Sequence, residues 1–398
     1  MGAIKSYREG YSPSGDVIDI MSTFTRIVNV GIERALEKNI TSRNSLSEEL
    51  YKDVKNLPIP SYYIPPAIAK AVSLVKSYRK SVRKESRKKR VEDRREIRKP
   101  HVNKLFLTTH YGFVVKNNTL SIPIGRERYS REYTEIPLND YVSRNIRERD
   151  VRSFTITEIS LVVTVENHPD VIECDDVEGI DRNLNNVTIG NEKHREIIDL
   201  SAVPRIKEKY RRKQRHFRRN DHRIRKNLYL KYGTRSSNRT DQILHTVSKN
   251  IVQDAVDRRE AIALEDLTDL NKRTHRGDGK GRDHRFMMVN SFPYGRLAQF
   301  VKYKAEWIGL PVIQLSREDT KGTSIDCSVC GYRTQENGRM LHCPNCNTTI
   351  HRDVNAAINI AARGRTWLKR SSTKGQPIEA MNQSKDGELM VGSQSTKI

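Results

Sequence analysis

Residues 179–183 read Gly-Ile-Asp-Arg-Asn (GIDRN), and the position of Asp181 within them organises the reading of everything else. Val177 and Ile180 lead into it and Leu184, Val187 and Ile189 follow, a pattern that predicts a hairpin turning near Asn185 and Asn186 with Asp181 ending its first strand. Two later acids can join it. Glu265 ends the apolar run Ala261 to Leu264, the pattern of a buried strand. Asp353 precedes Val354, Ala357, Ile358 and Ala361, which fall at i, i+3, i+4 and i+7, so it opens an amphipathic helix that Gly364 is expected to close. Two strands and a helix therefore each deliver one carboxylate.

One acid at a strand end is as readily a solvated turn, but three in this arrangement point to divalent-metal chemistry on phosphodiesters. Hydrolysis of a phosphodiester needs an in-line water, a stabilised leaving oxygen and relief of anion–anion repulsion, and two Mg²⁺ ions about 3.5–4 Å apart supply all three. Mg²⁺ is hard and takes oxygen ligands, so carboxylates, water and the substrate's phosphate complete its shell without His or Cys. The expected catalytic and Mg²⁺-holding residues are Asp181, Glu265 and Asp353.

The whole chain carries 73 Lys and Arg against 49 Asp and Glu, a net charge of +24 that calls for a polyanionic partner, with nucleic acid the default. No apolar run approaches the ~18 residues of a membrane span. The first thirty residues lack a signal-peptide profile, because Lys5, Arg8 and Glu9 precede any apolar segment; a cytoplasmic location is expected. A monomer is the favoured state.

Moving outward, a first strand and turn are expected over 1–15, then a helical segment over 16–100, with Met21, Phe24, Ile27, Val28 and Ala35 along one side and Ile68, Val72 and Val75 on a later helix. The run Tyr78–Lys99 is too charged to bury, and Arg79, Lys80, Arg83 and Lys84 are its candidate phosphate contacts. Over 101–170 the texture turns to short strands, including the alternation Ile159, Leu161, Val163, Val165. This β-module is one that the N-terminal strand can join, leaving the helices as an insertion.

Between Asp181 and Glu265, the segment Arg205–Lys226 carries basic residues on nearly every face. Arg211, Arg215, Arg218, Arg219, Arg223 and Lys226 are candidate phosphate contacts there, with Tyr210, His216 and Phe217 placed to stack on bases or sugars. A second helix with Ile243, Leu244, Val247, Ile251, Val252 and Ala255 buried returns the chain to the Glu265 strand. Residues 271–291, with Gly277, Gly279 and Gly281 among charges, read as a loop beside the pocket. A helix through Leu297, Phe300, Val301 and Trp307 then leads to the strand PVIQL, and 370–398 read as a disordered tail.

Four of the five cysteines form two C-x-x-C pairs, Cys327/Cys330 and Cys343/Cys346, twelve residues apart. Four thiolates make a closed tetrahedral shell for one structural Zn²⁺, and Gly331 and Asn345 are expected at the tight turns. A redox pair or iron–sulfur site is the competing reading. Arg333, Arg339 and Arg352 are expected to offset the thiolate charge, and metal binding should supply the folding energy of so short and polar a segment. Cys174 reads as a small, buried apolar residue.

The stretches GIDRN, NRTDQILHTVSKNIV, LEDL, YKAEWIGLPVI, TSIDCSVCG, CPNC and HRDVNAAINI, spanning about residues 177–364, together resemble the transposon-encoded TnpB nucleases, relatives of the type V CRISPR effectors. The resemblance implies an α/β multidomain protein. Its RNase-H-like (RuvC) catalytic domain would occupy 171–320 and 351–369, with a zinc ribbon inserted at 321–350. A β-barrel-like wedge module, residues 1–15 and 101–170, would be interrupted by a helical recognition lobe at 16–100, on outline alone. The implied partners are a guide RNA and a double-stranded DNA target read beside a short adjacent motif. The implied activity is RNA-guided, Mg²⁺-dependent DNA cleavage by Asp181, Glu265 and Asp353. A nuclease-inactive RNA-guided regulator and a compact type V effector are the alternatives.

Overall fold

Residues 2–87, 96–125, 132–217, 221–267 and 293–373 are described by the structure, a computed structural model, the side chains of Arg223 and 370–373 excepted. The expected loop at 271–291 and the tail beyond 373 lie outside the described residues. The chain divides into two units, Met1–Asn167 and His168–Ile398. Among the described residues, no helix is long and apolar enough to cross a membrane.

The first unit runs β1 (Ala3–Gly10), α1 (Gly15–Glu37), α2 (Arg43–Val54), α3 (Ile64–Ser86), β2 (Phe106–Thr109), β3 (Val114–Lys116), β4 (Thr119–Pro123), β5 (Tyr133–Pro137), α4 (Asp140–Ile146), β6 (Asp150–Thr157) and β7 (Ser160–Asn167). Its strands form a four-stranded sheet ordered β1-β7-β6-β2 and a three-stranded sheet β3-β4-β5. β1 pairs antiparallel with β7, Ala3 opposite Asn167 and Gly10 opposite Ser160, so four helices, α1 to α4, intervene in sequence between neighbours of one sheet. Those helices bury Val17, Ile20, Met21, Phe24, Ile27 and Val28 on α1 against α3, where a Cβ on Gly31 would come within 2.9 Å of the Ala71 methyl. The β6–β7 hairpin buries Phe154, Ile156, Leu161, Val163 and Val165. Ile159 departs from the expected alternation: it sits in the turn of that hairpin and is 72% exposed.

The second unit is built on a five-stranded sheet ordered β10-β9-β8-β11-β12. β8 (Asp176–Arg182), β9 (Asn186–Gly190) and β10 (Arg195–Asp199) form an antiparallel meander, while β11 (Glu260–Glu265) and β12 (Val312–Leu315) run parallel to β8. Period-two alternation sends Val177, Gly179 and Asp181 to one face and Glu178, Ile180 and Arg182 to the other. The second face carries the larger core, with Ile180, Val187, Ile262 and Leu264 packed against Leu244, Ile251, Leu297 and Val301. These last four come from α6 (His222–Asp257) and α7 (Tyr294–Ile308). The basic segment is therefore not one helix. α5 (Ala202–His216) ends before residue 218, and α6 begins at His222 and continues unbroken through the apolar stripe expected of a separate helix.

α8 (Arg352–Thr373) covers the opposite face, with Val177, Ala261, Ala263, Ile313 and Ile360 buried together. Gly364 does not end this helix, which runs on for nine more residues. A Cβ there would sit 2.8 Å from the Ala263 methyl, so the glycine lets the helix lie close on the sheet instead of stopping it. Between β12 and α8 lies a small three-stranded sheet of β13 (Gln335–Asn337), β14 (Met340–His342) and β15 (Thr349–His351).

Candidate functional site

Leu264 on β11 lies beside Ile180 on β8, so the next residue of each strand, Glu265 as the last of β11 and Asp181 as the next to last of β8, falls on the same face of the sheet. The carboxyl ends of parallel strands are where open α/β sheets present their chemistry. α8 crosses that face, and its first turn carries Asp353, which is 2% exposed. Its height is set by Gly179: a Cβ there would lie 2.1 Å from the Ala357 carbonyl oxygen, an approach that no other residue permits.

The three acids share one electrostatic field. Burial, then the carboxylates of Glu265 and Asp353, push Asp181 up to about 7, while a hydrogen bond donated by Asn183 Nδ2 to Asp181 Oδ2 at 2.7 Å acts the other way. Asn183 Nδ2 also donates to Asn186 Oδ1 at 3.3 Å, and Asn186 Nδ2 donates to Asp353 Oδ2 at 3.2 Å, so a polar relay joins the first and third acids. Arg182, on the opposite face, donates to the Glu265 and Tyr294 carbonyl oxygens and ties together the strand ends that carry Asp181 and Glu265.

The three carboxylates are grouped, but not around a single point. Among the described residues, two clusters bring one ligand atom each within 4.8 Å of one another, and this trio is neither of them. Asp353 is turned toward a cation supplied by the chain: Arg339 Nη1 lies 3.2 and 3.3 Å from its two oxygens. The expected roles of the arginines change accordingly, since Arg339 serves Asp353 and Arg352 pairs with Glu336 at 3.2 Å, neither being placed on a thiolate.

One of the two clusters is the cysteine set. Cys327 Sγ and Cys346 Sγ are 3.6 Å apart and Cys330 Sγ and Cys343 Sγ 3.4 Å, close to the ~3.8 Å edge of a tetrahedron with Zn–S bonds of about 2.3 Å. Hydrogen bonding by Thr348 draws Cys346 down to about 6, as suits a thiolate ligand, whereas burial pushes Cys327 up to about 11. The cluster could hold zinc, and the donor set is one that zinc prefers. Gly331 takes the left-handed turn of the first knuckle (φ 76°); in the second it is Asn347 (φ 57°), not Asn345. The cluster is docked on α8 by two amides in HRDVNAAINI. Asn355, fully buried, accepts from Ser328 N–H and donates to the Asp326 carbonyl at 2.8 Å, and Asn359 donates to the Asp326 and Thr323 carbonyls. Cys174 is half-buried against both faces' cores.

The basic candidates divide. On α3, Lys80, Arg83 and Lys84 are exposed, but Arg79 donates to the Ala35 carbonyl at 3.0 Å and ties α3 to α1. On α5, Arg211 is paired with Glu208 at 3.4 Å, while Arg215 and, on α6, Lys226 are exposed. Arg218 and Arg219 lie outside the described residues, as does the side chain of Arg223. Tyr210 and Phe217 are not base-stacking platforms: Tyr210 is 6% exposed, and both rings pack on Tyr232 across the α5–α6 hairpin. The open face of α5 is a different one. A concavity of about 720 Å³ runs from Asn185, in the turn after Asp181, along Arg205, Lys209, Arg212, Lys213 and His216. These recur at helical spacing, a periodicity masked in the sequence by the basic residues on the segment's other faces.

The family described as "Cas12f1-like, TNB domain" matches residues 294–360, and the one described as "Uncharacterized protein MJ0013 family" matches residues 20–122. The TnpB-like protein MJ0751 of Methanocaldococcus jannaschii is 28% identical over 238 residues, 56% of this chain and 83% of that protein. A Cas12f1 chain solved in an sgRNA–target DNA complex matches with a TM-score of 0.53, covering 87% of this chain and 82% of that one at 12% identity, a likeness of fold. The relative's sequence and the matched TNB segment agree in making the chain similar to TnpB-like proteins, and its fold is like that of Cas12f1.

Proposed function

We propose that the chain is an RNA-guided DNA endonuclease whose second unit holds an RNase-H-like (RuvC) nuclease core. The strand order β10-β9-β8-β11-β12, an antiparallel meander continued by two parallel strands, supports that reading of the core. The observation that carries the activity is the end-to-end placement of Asp181 and Glu265 on adjacent strands, with Asp353 brought over them by α8. On this reading 321–350 form the ribbon, 1–15 and 101–170 the wedge, and 16–100 the recognition lobe. The solved relative is named in complex with sgRNA and target DNA; a guide RNA and a DNA duplex are proposed as partners here too.

Asp181, Glu265 and Asp353 would hold two Mg²⁺ ions. The fit rests on the donor set, all carboxylate oxygen, and on the setting of Asp181, whose rise comes first from burial and then from the neighbouring carboxylates of Glu265 and Asp353. Bound magnesium supplies charge neutralisation and an activated water for phosphodiester hydrolysis. The chain's own residues set the geometry. Asn183 fixes one oxygen of Asp181, Asn186 orients Asp353, and Arg182 holds the strand ends level. Arg339 approaches the buried Asp353 from solvent, 63% exposed at its own side chain, so it can swing back into water when a metal takes its place on the acid.

That same ion pair favours a second reading, an RNA-guided DNA-binding regulator in which Arg339 permanently occupies the acid. Cleavage of a guide-matched plasmid separates the two. The protein purified with its RNA should cut in Mg²⁺ and not in chelator, and Asp181→Ala should abolish cutting while leaving RNA binding within about twofold. Intact plasmid in Mg²⁺ supports the regulator; cutting by the variant rejects the site. Sequencing of the copurified RNA should return one dominant species, and a broad sample of cellular RNA would count against a guide.

A further inference from the structure

The second of the two clusters with metal-ligand geometry lies on the face of the sheet away from Asp181. Glu178 on β8, Glu260 on β11 and His194 in the turn between β9 and β10 bring one ligand atom each within 4.8 Å of one another. They are far apart in sequence and are joined by the same strand pairing that aligns Asp181 and Glu265. Glu178 and Glu260 are 0% and 4% exposed.

Glu260 is fully occupied: Asn191 Nδ2 donates to Oε1 at 2.8 Å, and His194 Nε2 lies 2.6 Å from Oε2. Glu178 is not. Neither of its carboxylate oxygens has a hydrogen-bond partner, and the nearest cation, Arg258 Nη1, stands 3.6 Å from Oε2, beyond hydrogen-bond reach. A buried carboxyl with both oxygens unsatisfied is costly, and such a group in a native fold calls for a missing partner. No donor from Glu260 can serve it, because a carboxylate has none to give. Burial, then the carboxylates of Glu260, Asp254 and Glu196, push Glu178 up to about 8 against the pull of Arg258.

We propose that Glu178, His194 and Glu260 form a second metal site, distinct from the thiolates and from the Asp181 pocket, that takes a single Zn²⁺. One imidazole nitrogen with two carboxylates is a donor set that suits zinc better than magnesium, and it leaves a fourth position for water. On binding, the single proton of neutral His194 sits on Nδ1, leaving the Nε2 lone pair for the ion, and Glu178 releases its proton to solvent and gains the partner it lacks. The ion ties β8, β11 and the β9–β10 turn together at the end of the sheet opposite the acids.

The test is the zinc content of the full chain. Wild type, Glu178→Gln and His194→Ala are equilibrated with micromolar Zn²⁺, freed of loose metal by gel filtration and analysed by plasma mass spectrometry. The thiolates and the Asp181 pocket are unaltered in all three, so their contribution cancels. Each variant should hold one zinc fewer per chain than wild type, and added Zn²⁺ should raise the wild-type melting temperature by more than that of either variant. Equal zinc content in all three overturns the proposal. Should Glu178→Gln not fold, His194→Ala decides alone, because His194 lies in a turn at the rim of the cluster.

Discussion

Gly179 shows how one missing methyl positions a site. Its Cα faces the Ala357 carbonyl of α8 so closely that a Cβ would lie at 2.1 Å, and the same contact fixes how far Asp353 stands above Asp181. Gly179→Ala is expected to lower stability by about 1–3 kcal/mol, the usual cost of overpacking a core, and to reduce plasmid cleavage as α8 shifts. A denaturation midpoint unchanged from wild type would show that the helix does not depend on this contact. Asn355 makes a comparable case with polar atoms. It bridges Ser328 and Asp326 from a fully buried position, so Asn355→Ala should destabilise by about 1–3 kcal/mol by leaving buried backbone groups unpaired. The midpoint of chemical denaturation measures both.

At the scale of elements, α5 and the cysteine ribbon carry separate predictions. The open groove of α5 presents Lys209, whereas Arg211 is committed to Glu208. Lys209→Ala should weaken nucleic-acid binding and flatten the dependence of log affinity on log salt by about 1, while Arg211→Ala should leave that slope nearly unchanged. Equal slopes for the two variants would place the phosphate path elsewhere. Removing zinc with a strong chelator, or Cys343→Ser, should unfold the ribbon, free Arg339 and loosen the first turn of α8, seen as faster amide exchange over 323–355. The convergence of the four cysteines was legible from ligand spacing alone, because the pairs sit twelve residues apart and no packing has to be guessed. The break between α5 and α6 was not legible, because basic residues on every side hide helical phase, and only the burial of Tyr210 on Tyr232 reveals which face turns inward.

For the whole molecule, the sheet was legible wherever a strand is apolar on both faces, as in Ala261 to Leu264, and each terminal acid could be seen at its strand's end. What no single stretch could show is convergence. Arg339 reaches Asp353 from the ribbon, Arg182 reaches the Glu265 carbonyl through the sheet, and Glu178 meets His194 and Glu260 only once three strands are paired. Gly364, read as a stop because glycine ends many helices, is a packing residue for the same reason that Gly179 is. The proposed nuclease depends on Asp181, Glu265 and Asp353 holding divalent ions at the carboxyl edge of the sheet. Anomalous diffraction from crystals of the protein soaked in Mn²⁺ reads this directly. Peaks are predicted within coordination distance of oxygens from all three residues, with Arg339 withdrawn from Asp353. A map with manganese elsewhere in the molecule, none at these carboxylates and Arg339 still paired to Asp353 would contradict it.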